Sequence, residues 1–538
     1  DDTDSSGEYT GTKTVTETTT ASDIDTTYYV DGKPVYTANT KLLTGTDMPL
    51  QTIKTVYDKK NDNRVISETQ TGGIFETKLM RIEPGMTDKM PKDIQAVIDE
   101  NGGIPEGGLV IDKKKNDKTT TYEYGENGLV TAVNTDEKQY DYMAGTVTDI
   151  RSSSRTENGK TDTASETYVY GLTQADSDAK RAADKNNVIS HTANYSSEII
   201  VPSDIKEQGS EAVKEYLEKR GMDLTGLTDE QRENLSSMDK FILSDTSVNF
   251  ISGEISVIQN AIVKNTYNPD GTLAKSEAAG TKTTAKADAE QLSQSFESSD
   301  FSSLYSSAKD LNSAILSEIN YPSKATLLSN ISTSKYNTVT EYKYDVLKRL
   351  SSTDESSTAF VKNAAGELIT VETTAHTDII YDSSAKNGVL KTTQGQNAHS
   401  DTIVKNAAGE VIYTEVTDVN VDAKTQNAES VSVKTDANGN LISTTTSTTV
   451  VADGQATTTT VTRDAGGAIT EQSTSTAKAG SNYYSYGNLS NSNITINIGA
   501  VTTFNESGFA RDAQIEARDH VKNTIIAAAV TVAFVVLS

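Results

Sequence analysis

His191, His376, His399 and His520 are the side chains of this 538-residue sequence best suited to move a proton or ligate a metal near neutral pH. No two of them lie three or four residues apart, the spacing that sets paired imidazoles on one helical face. They predict no metal cluster. Ser and Asp are abundant enough to sketch a Ser/His/Asp triad, but neither a Gly-x-Ser-x-Gly nucleophile elbow nor a Walker-type phosphate loop occurs. Cysteine is absent, which removes thiolate ligands, disulfides and Cys nucleophiles. The sequence predicts no catalytic, cofactor-binding or metal-binding set, and it reads as a non-enzyme.

Calcium is the one ion that two stretches bring into question. DDTDSSGE places Asp2, Asp4, Ser6 and Gly7 as in the first half of an EF-hand loop, but Lys13 stands twelfth, where a bidentate carboxylate is required. Asp418, Asn420 and Asp422 alternate with Val419 and Val421, which reads better as a strand with a solvated polar face. Structural calcium is the minor alternative, and no cofactor is expected. Sequons at Asn194, Asn234, Asn330, Asn488, Asn493 and Asn505 are mostly the coincidence that a chain rich in Asn, Ser and Thr produces.

Charge limits the partners. Acidic residues outnumber basic ones 76 to 49, a formal net charge of −27 that repels nucleic acid and anionic membrane surfaces. The apolar fraction of 35% and the lack of Trp predict thin cores. Thin cores suit strands that bury one face and show Thr, Ser, Lys or Asp on the other, and Thr is β-branched yet tolerates water. The length suggests roughly three or four domains of ordinary size.

The elements follow from the pattern. Tyr28, Tyr29 and Val30 before Asp31-Gly32, with Val35 and Tyr36 after it, predict a tight hairpin. TVYDKKNDNRVISETQ predicts another, with Val56 and Tyr57 facing Val65 and Ile66, and TYEYGENGLVTAV a third. Helices are expected at Lys92–Glu100, at EAVKEYLEKR, after a cap at Thr228, and over one or two segments carrying Leu292, Phe296, Leu304, Ala308, Leu311 and Ile315. Five related turns then recur, with Gly366, Gly388, Gly409, Gly439 and Gly467 at 22, 21, 30 and 28 residue steps. One hairpin per unit fits that period. The expected fold is therefore mainly β with a helical insert: an elongated multi-domain chain of β-hairpin repeats with a C-terminal apolar helix or strand. The expected divisions are an N-terminal β domain (1–90), a β domain with a short helix (91–170), a mixed helical domain (171–335), a hairpin-repeat domain (336–480) and an assembly segment (481–538).

Tyr342-Lys343-Tyr344-Asp345, Ile380-Tyr381-Asp382 through Gly388-Val389-Leu390, and Tyr122-Glu123-Tyr124 through Gly128-Leu129 resemble degenerate units of the YD repeats of Rhs-type secreted bacterial proteins. The resemblance covers parts of the chain and implies hairpin geometry and a secreted bacterial setting. The opening segment lacks a basic start and an apolar core, so any secretion signal is expected to have been removed.

The C-terminus changes character abruptly. TIIAAAVTVAFVVLS, from Thr524 to Ser538, has no charge, and as a helix it would span about 22 Å, short of a bilayer core of about 30 Å. Its apolar surface needs cover from this subunit, a neighbouring one or lipid. Ile525, Ile526, Val530, Val532, Phe534, Val535, Val536 and Leu537 are the expected assembly interface, with copies of the same chain as partners and membrane contact as the lesser alternative. The sequence thus predicts an extracellular or cell-surface structural subunit of a filament, sheath or appendage. A surface adhesin or stalk, and a Rhs-like secreted carrier or effector, are the alternatives.

Overall fold

The computed structural model describes residues 11–30, 32–45, 48–61, 63–321, 327–362, 367–452, 455–478 and 483–484. Strands hold 60% of the described residues and helices 14%, so the protein is mainly β with a helical insert. The strands join a single sheet. Its first part comprises β1 (Thr12–Thr19), β2 (Asp23–Val30), β3 (Lys33–Leu42), β4 (Gln51–Asp58), β5 (Arg64–Thr71), β6 (Ile74–Ile82) and β7 (Leu109–Tyr124), with α1 (Lys92–Glu100) before β7. β7 is a branch point. Its first half pairs with β6 and its second half with β5, so that β6–β3–β2 and β5–β4–β1 diverge from one long strand.

From β7 onward the chain is an antiparallel meander. β8 (Val130–Asp141), β9 (Thr146–Glu157), β10 (Lys160–Leu172) and β11 (Ala183–Ile199) lead to a helical excursion, α2 (Ser203–Glu207), α3 (Ser210–Glu218) and α4 (Asp229–Glu233). β12 (Lys240–Asn249), β13 (Glu254–Tyr267) and β14 (Leu273–Lys286) lead to a second, α5 (Ala289–Gln294) and α6 (Phe301–Asn320). β15 (Ser329–Tyr344), β16 (Leu350–Lys362), β17 (Leu368–Lys386), β18 (Val389–Lys405) and β19 (Val411–Val421) follow. β20 (Ala428–Asp436), β21 (Leu441–Ala452), β22 (Gln455–Asp464), β23 (Ile469–Lys478) and the two-residue β24 (Tyr483–Tyr484) complete the order. Each strand from β7 to β23 pairs with the next, and the ladder crosses residues 170 and 335 without a break.

The expected helices all form, for identifiable local reasons. The Thr228 hydroxyl and Gln231 make a capping box at α4, and Asp300 with Ser303 makes another at α6. α6 places Leu304, Ala308, Leu311 and Ile315 on the buried stripe and ends before Pro322. Both helical excursions cover one face of the sheet. Val213 and Leu217 of α3 pack on Phe241 and Ile262, whereas α6 packs on Tyr195, Val248 and Ile255.

A bulge aims the other face. Between Gln259 and Ile262 β13 carries one residue more than β14, and Asn260 there has φ of +49°. The extra residue flips alternation, so Val257 before it and Ile262 after it both face helices, while Ile258 and Ala261 face inward. Gly280 sits opposite: a Cβ there would lie 2.5 Å from the Ala261 Cβ, so only glycine fits.

The sheet curls far enough to meet itself. The Val110 N–H donates to the Gly388 carbonyl at 2.8 Å, a parallel bridge between β7 and the start of β18. α1 is wedged at this seam. Ile94 and Val97 pack with Tyr36, Leu79, Leu109, Leu347 and Leu390, and Arg349, in the β15–β16 turn, grips the helix. Its Nη1 and Nη2 donate to both Asp93 oxygens at 2.8 and 2.9 Å, its Nε donates to Asp345 at 2.7 Å, and its guanidinium lies 4.1 Å from the Tyr381 ring centre.

Hydroxyls supply much of what a thin apolar core cannot. Thr373 pairs with Thr402 at 3.1 Å, Thr417 with Ser432 at 2.8 Å, Ser447 with Thr460 at 2.7 Å and Thr449 with Thr458 at 2.8 Å, all between adjacent strands. Ser400, Thr417 and Thr449 are at most 1% exposed. Such cross-strand pairs contribute roughly 0.2–1 kcal/mol each relative to Ala–Ala. They let a Thr-rich strand bury a face without Leu or Phe.

Candidate functional site

The predicted assembly residues Ile525, Ile526, Val530, Val532, Phe534, Val535, Val536 and Leu537 lie outside the described residues, as do Asp2, Asp4 and Gly366. Among the described residues, the features that could carry a function are the repeat hairpins, their inner and outer faces and the edge where the meander stops.

The hairpin turns are built alike. The side-chain oxygens of Asp345, Asn406, Asp436 and Asp464 each accept from backbone N–H groups two and four residues further on, at 2.8 to 3.0 Å. The residue at the third position takes positive φ: +82° at Gly409, +81° at Gly439 and +85° at Gly467. Lys348 holds the same place at +62°. Asp345 of the Tyr342-Lys343-Tyr344-Asp345 segment thus opens a turn, whereas Tyr381 and Asp382 sit within β17. Gly388 belongs to a different, two-residue turn with Asn387.

On the inner face, register sets Asp245, Ile258, Lys282 and Ser334 in one row and Ser276, Thr340, Glu355, Ala375 and Ser400 in another. In a flat sheet Lys282 and Glu355 would be about 22 Å apart, from two strand spacings and six residue rises. They interact nonetheless, because the sheet curls. Burial pulls the Lys282 ammonium down to about 7, with Glu355 opposing, and pushes the Glu355 carboxyl up to about 8, with Lys282 opposing. Lys282 is 2% exposed. Around Glu355 the buried hydroxyls of Ser276, Ser357 and Ser400 have no protein hydrogen-bond partner among the described residues. Nothing in the sequence periodicity announced this pair, since Lys282 and Glu355 alternate with neighbours as solvent-facing charges would.

The outer face carries a row of opposite character. Glu341, Asp354, His376, His399 and Asp418 follow one another across β15 to β19. His376 Nδ1 lies 2.6 Å from Asp354 and its Nε2 3.2 Å from Asp378, while His399 Nδ1 lies 2.7 Å from Asp418 and its Nε2 3.4 Å from Asp401. The Asp354 hydrogen bond raises His376 above its ordinary value, and the Asp418 bond does so for His399. The fold thus brings together two histidines that are 23 residues apart in sequence. His191 is elsewhere, sandwiched between Tyr168 and Phe250 with Nε2 2.8 Å from Glu166. Asp418 and Asn420 are exposed on β19, and Asp422 caps the following turn by accepting from Lys424 and Thr425. Among the described residues no group of three or more His, Asp or Glu is disposed to hold a metal ion.

The meander stops at β23. Its only strand partner among the described residues is β22, and Ile469 to Thr474 are exposed on both faces. No proline interrupts its ten residues. At the other extremity the two branches end in β1 and β2, paired among the described residues with β4 and β3 alone, and β2 shows Ile24 at 56% and Tyr29 at 63% exposure. Open edges are templates for strand addition, which proteins ordinarily blunt with proline, lysine or bulges. No protein-family model matches this chain, and no curated protein matches its sequence.

Proposed function

We propose that this chain is a structural subunit of a secreted or cell-surface assembly that self-associates into a larger array. The observation that carries the reading is the long hydroxyl-paired ladder that ends at β23 in an edge exposed on both faces. A sheet of this kind offers main-chain donors and acceptors in register to a further strand, while the net charge of −27 opposes indiscriminate contact. The uncharged stretch Thr524–Ser538 adds apolar attraction: six of its large side chains, at about 1.5–3 kcal/mol each, supply on the order of 10 kcal/mol before entropy losses. The resemblance of the Tyr-Asp hairpins to YD repeats supports a secreted bacterial setting.

The test is the particle size of the purified full chain, by light scattering and negative-stain microscopy, beside a chain lacking residues 524–538. Ordered particles larger than a monomer, reduced or lost in the shortened chain with circular dichroism retained, are the expected result. A full chain that stays monomeric at every concentration tested would overturn the reading.

A further inference from the structure

We infer that β23 receives β2 from a second copy of this chain, so that the sheet continues from one subunit into the next. The inference rests on the self-association reading and adds to it the two strands that meet. Both are terminal in the same ladder and open among the described residues, at opposite extremities. A copy therefore carries the strand that fits its neighbour's vacant side, and each addition leaves another open edge behind it. Such a head-to-tail contact is heterologous, so it builds a ring or an open filament in place of a two-fold dimer.

The chemistry of the two strands is compatible. β23 offers Glu471, Gln472, Ser473 and Thr474, and β2 offers Thr26 and Thr27 at its centre. A Thr459–Thr474 pair at 3.4 Å already extends the hydroxyl pairing out to β23, so an incoming threonine continues an existing pattern. β23 carries one charge of each sign, Glu471 and Lys478, and the two charges of β2, Asp23 and Asp25, lie at its start and leave its centre uncharged. The chain does not fold back over this edge at its next described strand: Tyr483 and Tyr484 pair with Thr393 and Thr392 of β18.

Neighbouring residues on an edge strand point their N–H groups alternately toward the sheet and away from it. Ser473→Pro and Thr474→Pro in the full chain therefore remove one inward and one outward donor. One of the two should lower association at least tenfold with its melting transition unchanged, and the other should lower the melting transition. Wild-type association by both variants would overturn the β23 contact while leaving self-association standing. A wild-type chain that never associates would overturn both. Because the chain has no cysteine, Ser473→Cys on one chain and Thr27→Cys on another can be mixed and oxidised. The expected product is the mixed dimer. Exclusive Ser473→Cys homodimers would show a β23–β23 contact and overturn β2 as the partner.

Discussion

Replacing Arg349 by Met should detach α1 from the seam where the sheet meets itself. The guanidinium makes three charge-assisted bonds of 2.7 to 2.9 Å to Asp93 and Asp345, and the Arg349 and Asp93 side chains are only 4% and 6% exposed. Methionine keeps the aliphatic stem but leaves the Asp93 and Asp345 carboxylates without their cation. Removing one partner of a buried pair costs about 3–5 kcal/mol, because the remaining charge has lost water and found nothing in its place. The Ser383 hydroxyl still donates to Asp93, so the loss should fall toward the lower end. Urea denaturation would read the global change, and amide exchange at Ile94 and Val97 would locate it. Asp93→Leu added to the first change should recover part of the loss, since Asp345 is then the one carboxylate of the clasp left without its cation. Unchanged stability and unchanged exchange in Arg349→Met would refute the claim that this clasp holds α1.

Four further predictions concern the faces and turns. The raised Glu355 carboxyl holds its proton more tightly folded than unfolded, so its contribution to stability should fall as pH rises from about 4.5 to about 8; Glu355→Gln should remove that decline, seen as a urea midpoint that gains on wild type between pH 5 and 7. His376 and His399 are raised, so their stabilisation is present below about pH 6.5 and is lost as pH climbs through their folded values; NMR titration should find both midpoints above 6.5, and Asp354→Asn should lower that of His376 and leave His399 in place. Gly439→Val should destabilise by about 1 kcal/mol or more through backbone conformation alone, because a Cβ there meets nothing within 4 Å. Lys348→Gly, at the same turn position, should be neutral or stabilise by up to about 1 kcal/mol in thermal melts.

Local signals in the sequence were reliable where one segment decided the outcome. Asp-Gly, Asn-Gly and the Thr228 cap act within a few residues, and the hairpins and helices they predict are present. Tyr57 does oppose Val65, but a bulge passes over Ile66 and sets Val56 opposite Ser67. Residues 171–335, read as mixed helical, hold the expected helices between the long strands β11 to β14, which bury both faces in places and lack the clean alternation that marks a half-exposed strand. The continuity of the sheet was also hidden, because pairing between β6 and β7 or β14 and β15 spans a helix that local patterns treat as a boundary. The electrostatic coupling of Lys282 with Glu355 and the His376–His399 row depend on curl and register, which no single segment encodes.

The hydroxyl pairs across the inner face also bear on temperature. Heat capacity of unfolding rises with apolar surface exposed and falls with polar surface exposed, and globular chains average about 12–15 cal/mol/K per residue. A core that buries Thr417, Ser432, Ser447 and Thr449 where others bury Leu or Phe exposes more polar and less apolar surface when it opens. Its heat capacity increment should lie below that average, and its stability should vary only shallowly with temperature. A scaffold built this way keeps much of its strength in the cold, where purely hydrophobic cores weaken.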